Sequence, residues 1–115
     1  MKRGDVYVAD LKPRSGSEQT GRRPVVIISN DGFNLTPNWR SIIVVPLSTS
    51  TSQAVRTQTV VHISIGEGGL SRDGSALCHQ VTTLDRTKLK QRLGELSETK
   101  MIEIERALKA AMDLI

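Results

Sequence analysis

Arg22, Arg23 and Pro24 are the residues of this chain best suited to chemistry. They close a polar, glycine-punctuated stretch, Ser17-Glu18-Gln19-Thr20-Gly21, and lead straight into the β-branched run Val25-Val26-Ile27-Ile28. A guanidinium stays charged at any ordinary pH and offers a planar fork of donors that fits phosphate. Held at the rim of a buried strand beside a loop, Arg23 suits an anion. Ser48 and Thr49 follow a second apolar run, Ile42-Ile43-Val44-Val45, and sit on a neighbouring loop if the two strands pair. Their hydroxyls can orient a phosphate or stabilise its developing charge. RNA carries its own nucleophile, the 2′-hydroxyl, so such a site needs no activated serine, and no Ser-His-Asp spacing is recognisable here. Arginine is a poor general base, which leaves proton transfer to Glu18 or His79 if either lies near enough.

Each of these residues also has an ordinary structural reading. Arg23 can be a solvated rim charge, and Ser48 and Thr49 can be turn formers in a hydroxyl-rich loop. Glu18 reads equally as a solvated loop carboxylate, His79 as a half-buried structural histidine and Cys78 as a small core residue. No metal site is expected. His62, Cys78 and His79 are the only soft ligands, they lack metal-site spacing, and the carboxylates are scattered. No cofactor is expected either.

Composition narrows the partners. The chain has 115 residues, with 16 Lys and Arg against 12 Asp and Glu, for a net charge of +4. That balance points to nucleic acid or an acidic protein. Tyr7, Phe33 and Trp39 are the only aromatic residues, which argues against stacking RNA bases on a broad aromatic platform. A lone cysteine, no signal-peptide pattern and no apolar run of membrane-spanning length lead to the expectation of a single cytoplasmic domain over residues 1–115.

These residues need a framework of short strands. Residues 5–11 alternate, and residues 23–29 form a strand buried on both faces. A turn signal follows at Asn30-Asp31-Gly32, with at most one helical turn over residues 34–37. Residues 41–46 read as a strand ended by Pro46, with a hydroxyl-rich loop at 48–52. Further strands are expected over 58–65 and 75–84, separated by a glycine turn at 66–69. Over 86–92 a strand would place Arg86, Lys88, Lys90 and Arg92 on one face. The last segment is helical: Ser97 suits the N-cap, and Met101, Ile104, Leu108 and Ala111 make an apolar stripe widened by Ile102 and Met112. Many short strands and one amphipathic helix suggest a mainly β (α+β) fold, a small curled antiparallel barrel capped by that helix.

Five segments in register resemble the MazF/Kid/PemK toxin family: Lys2-Arg3-Gly4-Asp5-Val6-Tyr7-Val8; the loop and Arg-Pro strand between Pro13 and Ser29; Val44-Val45-Pro46-Leu47-Ser48-Thr49; Arg72-Asp73-Gly74 through Gln80; and Gly94-Glu95-Leu96 before the helix. The resemblance implies an SH3-like barrel that works as a homodimer. It implies a metal-independent endoribonuclease toxin that cuts single-stranded RNA at short motifs through its 2′-hydroxyl and is neutralised by an acidic antitoxin. Arg23 matches the family's catalytic arginine and Ser48 its hydroxyl, with Thr49 adjacent. Ser17, Glu18, Gln19, Arg22, Ser50 and Gln80 fall at substrate-contacting positions. In the Kid-like branch an arginine and an aspartate on the later strand serve the reaction. The matching positions here are Leu77 and His79, which favours a site centred on Arg23 and Ser48.

Two alternatives accompany this resemblance. One is a non-enzymatic poison of DNA gyrase like the related CcdB group, which acts through a tryptophan at the end of its C-terminal helix. Here the chain ends Ala111-Met112-Asp113-Leu114-Ile115, and Trp39 is far away in sequence. The other is a degenerate toxin that binds RNA without cutting it.

Overall fold

The computed structural model describes residues 1–11, 21–49 and 57–115. Among these, seven strands form: β1 (Asp5–Asp10), β2 (Arg22–Ile27), β3 (Ser41–Ser48), β4 (Val60–Ile63), β5 (Gly74–Leu77), β6 (Thr82–Asp85) and β7 (Leu89–Glu95). A single helical turn, α1 (Asp31–Asn34), lies between β2 and β3, and α2 (Glu98–Met112) follows β7. Every pairing is antiparallel, in the order β4-β5-β3-β2-β1-β7, with β6 also on β3. The result is the mainly β fold with an amphipathic C-terminal helix that the sequence implies.

The apolar runs serve two cores, one on each side of the sheet. Val6, Val26, Val45 and Leu47 join the cluster beneath α2, to which the helix contributes Met101, Ile104, Ala107 and Leu108. Ala9, Leu11, Val25, Ile27, Ile42 and Val44 fill the other. Alternation along β1, β2 and β3 therefore buries side chains in both directions, which is why β2 carries no polar residue between Val25 and Ile27. Ser97 caps α2 by accepting from Lys100 N at 3.2 Å. Where β7 passes the glycine turn the backbones nearly touch. A Cβ on Gly94 would lie 2.8 Å from the Gly68 carbonyl carbon, and Gly68 itself has φ +61°.

Several boundaries differ from expectation. β3 does not stop at Pro46 but runs through it to Ser48. Ile43 turns its carbonyl toward β2, accepting from Ile28 N at 2.9 Å, so alternation turns Pro46 the other way. On that side β6 ends at Val44 and β5 begins at Leu47, and the missing N–H falls in the gap between them. The strand expected over residues 75–84 is two strands, β5 and β6, separated by a 3-10 turn at Cys78–Gln80.

The strand expected over 58–65 is only Val60–Ile63, and the helical turn after β2 starts at Asp31 rather than 34. The basic stripe over 86–92 does not form. Asp85 accepts from the Thr87 backbone N–H and hydroxyl, which bends Arg86–Lys88 into a 3-10 turn and leaves only Lys90 and Arg92 on β7. On α2, Ile102 and Met112 are exposed instead of widening the buried stripe, and Ala107 is buried in their place.

Candidate nucleic-acid active site

β2 and β3 bring the two main candidates together. Their ladder pairs Ile27 with Val44, Val26 with Val45 and Val25 with Pro46; Arg23 lies two residues beyond it on β2 and Ser48 two residues beyond it on β3. Arg23 pairs with Ala9 of β1, which fixes its backbone while its side chain is exposed to solvent. Ser48 is 2% exposed and pairs with Ser75 of β5. Glycine at residue 74 suits this close pairing, since a Cβ there would lie 3.2 Å from the Ser48 carbonyl oxygen, tighter than ordinary van der Waals contact.

Beside this pair lies an open cleft of about 380 Å³ whose lining includes Arg22, Arg23, Thr49 and Arg72. Its lining also includes Val8, Pro24, Leu70 and Leu93, and holds no acidic residue among the described ones. Arginines placed around a partly apolar cleft favour a multiply oxygenated anion with an organic body, the chemistry of a nucleotide chain. Arg72 had not been expected here. In sequence Arg72-Asp73-Gly74 reads as an ordinary charged turn, and only the path of the chain from the glycine turn into β5 brings it to the Arg23 side.

The remaining candidates separate into two groups. Ser17, Glu18, Gln19 and Ser50 lie outside the described residues. His79 and Gln80 sit on the 3-10 turn after β5, and neither lines the cleft. His79 is exposed, with Nδ1 3.1 Å from the Thr59 hydroxyl, while Leu77 is fully buried. A larger groove, about 850 Å³, runs between β4 and α2 and includes none of the expected site residues. Cys78 faces the core, its sulfur 4.0 Å from the Ile104 carbonyl, and burial pushes its thiol up to about 12. Among the described residues no three His, Cys, Asp or Glu side chains converge as a metal-holding group. No helix of the described residues is long and apolar enough to cross a membrane.

A curled β-sheet capped by one helix, with an arginine-rimmed, hydroxyl-bearing cleft, defines a small nucleic-acid-acting protein. Residues 2–112 match the family of PemK-like, MazF-like toxins of type II toxin-antitoxin systems, and the chain belongs to that family. It is 42% identical over 114 residues to the endoribonuclease MazF of Staphylococcus epidermidis, covering 99% of this chain and 92% of that protein. The endoribonuclease MazF of Staphylococcus saprophyticus is 40% identical over the same span and coverage. Among solved structures, an endoribonuclease in complex with its cognate antitoxin from a mycobacterial species superposes with a TM-score of 0.79 at 28% identity, over 100% of this chain and 97% of that one. MazF from Deinococcus radiodurans, 23% identical, shares the fold with a TM-score of 0.79, over 99% of this chain and 97% of that one.

Proposed function

We propose that this chain is a MazF-type endoribonuclease, the toxin of a toxin–antitoxin pair, cutting single-stranded RNA at short motifs and so arresting translation. One observation carries the reading: Arg23 lines an anion-suited cleft together with Thr49, the residue after Ser48, in a chain 42% identical to an endoribonuclease MazF. The family membership favours this over a gyrase poison.

The chemistry follows from the cleft. The 2′-oxygen of the nucleotide before the cut attacks the neighbouring phosphorus, forming an O2′–P bond as the P–O5′ bond breaks. The proton lost by the 2′-hydroxyl goes to a base, the 5′-oxygen gains one from an acid, and the products are a 2′,3′-cyclic phosphate and a 5′-hydroxyl. The Arg23 guanidinium neutralises charge on the non-bridging oxygens, and the Ser48 hydroxyl donates to one of them. Thr49 borders the cleft directly after β3. Glu18 and His79 are the proton-moving candidates, and the pH–rate profiles of Glu18→Gln and His79→Gln separate them. Ser17, Gln19, Arg22, Ser50 and Gln80 are assigned to substrate contact. No metal or other cofactor enters this reading. The protein works in the cytoplasm as a homodimer of one domain per chain, held in check by an acidic antitoxin whose charge complements the basic chain.

The test is cleavage of a long mixed-sequence RNA in EDTA, with mapping of the new 5′ ends. Recurrent cuts at one motif, lost with folded Arg23→Ala, are expected. Full cleavage by that variant would remove Arg23 from the site. A folded wild-type protein that makes no cuts would favour the RNA-binding, non-cutting alternative.

A further inference from the structure

We infer that Arg72 is a second phosphate-binding guanidinium of this site. It grips the RNA backbone from the rim opposite β2 and contributes affinity rather than turnover. The inference rests on the nuclease reading and names a residue that sequence motifs alone do not assign to it.

The two rims of the cleft are built differently. Arg22 and Arg23 come from β2, fixed by its ladder with β1. Arg72 comes from the segment between the glycine turn and β5, whose backbone is pinned on both sides. Before it, Gly66 N donates to the Leu70 carbonyl at 2.9 Å, Leu70 is buried, and Gly69 is seated so tightly on Leu93 that no side chain fits there. After it, Gly74 enters β5 against Ser48. The base of Arg72 is therefore held, while its side chain is exposed and makes no hydrogen bond or ion pair among the described residues.

The nearest acid in sequence does not neutralise it. Asp73 Oδ1 accepts the Ile65 backbone N–H at 2.7 Å, which commits that carboxylate to holding the loop. No acidic residue of the described lining opposes the charge of Arg72. A long guanidinium at an exposed rim binds the polyanion before and during reaction alike. It lowers KM without selectively stabilising the transition state. A phosphate contact of this kind also carries no base preference.

The experiment measures binding and turnover on a single-stranded RNA oligonucleotide spanning the mapped cut. For binding, the same oligonucleotide carries a 2′-deoxy sugar at the cut, so that it cannot be cleaved. Arg72→Ala is expected to raise Kd and KM about tenfold, leave kcat within about twofold, and flatten the slope of log K against log salt by about 0.7, the value for one phosphate contact on a single strand. Arg72→Lys, which keeps the charge, should restore most of that slope, and cut-site preference should not change. Arg106→Ala removes the same charge from the groove beside α2 and serves as the control. A loss in Arg72→Ala no greater than in Arg106→Ala, or a fall in kcat at unchanged KM, would overturn the proposal. Wild-type protein that neither binds nor cuts the oligonucleotide would overturn the nuclease reading itself, and the proposal with it.

Discussion

Nε of Arg86 donates to the carbonyl oxygen of Trp39 at 2.8 Å, joining residues 47 apart in sequence. Nη2 of the same guanidinium reaches the carbonyls of Asn34, Thr36 and Phe33 at 3.0, 3.0 and 3.2 Å. One side chain therefore collects the carbonyls of the whole α1–β3 connection, where Phe33 stacks on Trp39 at 4.7 Å between ring centroids. A lysine cannot reproduce that fork. Arg86→Lys should destabilise the protein by about 2–3 kcal/mol, whereas Lys90→Ala on exposed β7 should cost about 0.5 kcal/mol or less. Urea titrations of the two variants make the comparison, and equal midpoints would refute it.

Ser48 and Thr49 can be separated. If Ser48 contacts the reacting phosphate, Ser48→Ala should lower kcat about 100-fold or more with KM nearly unchanged, the magnitude of losing one oxyanion donor. Thr49→Val should act mainly on KM, because Thr49 borders the cleft. The opposite pattern, in proteins of unchanged melting temperature, would assign the reacting hydroxyl to Thr49.

Gly94→Ala tests the contact between β7 and the glycine turn. The added methyl meets the Gly68 carbonyl carbon at 2.8 Å and Gly69 N at 2.9 Å, both backbone atoms. A cost of about 1–3 kcal/mol and a melting temperature lower by roughly 5–15 °C are expected. Calorimetry showing no shift would mean that the turn can move aside.

Two carboxylates give stability a pH dependence of known sign. The backbone N–H of Arg3, with the Asn34 side chain, holds Asp31 below the ordinary aspartate range. The backbone N–H and hydroxyl of Thr87, with Arg40, do the same for Asp85. Because their folded-state values are the lower ones, their contribution is complete above the unfolded value, about pH 4, and is lost as pH falls through the folded values. The melting temperature of the wild type should therefore fall more steeply below about pH 4 than that of an Asp31→Asn, Asp85→Asn double variant. Parallel curves would dismiss both groups. Solvent exposure keeps the effect small.

Cys78 should be silent toward thiol reagents. With its thiol pushed up to about 12 by burial, almost no thiolate exists at pH 8. Iodoacetamide labelling should require unfolding, and rapid labelling of the folded protein would contradict the burial.

The sequence was most legible where one interaction decides the outcome. Val25 to Ile27 is unbroken and apolar, so burial on both faces follows. Ser97 before a 3.6-residue stripe defines the start of α2. It was least legible where tertiary partners decide. Pro46 looked like a strand end because its missing N–H is a local fact, while the gap between β5 and β6 that tolerates it is not. Arg86 to Arg92 alternated like a strand, but the Asp85–Thr87 bonds and four distant carbonyls draw Arg86 into a turn. At the site, Arg23 was visible from its place before an apolar run. Arg72 was hidden because nothing near it in sequence distinguishes a cleft residue from a solvated turn.

β3 is shared, with its first half on β6 and its last two residues on β5. Ser48 and Thr49 therefore depend on the short β4–β5 ribbon more than on the β1–β2–β7 layer. Short as they are, β4 and β5 seat Val61, Ile63 and Ala76 in the core beneath α2. The hydroxyl side of the candidate cleft is thus tied to the core beneath α2. Amide exchange in β5 should therefore approach the rate set by global opening, and a substitution that loosens the α2 core should be felt at Ser48.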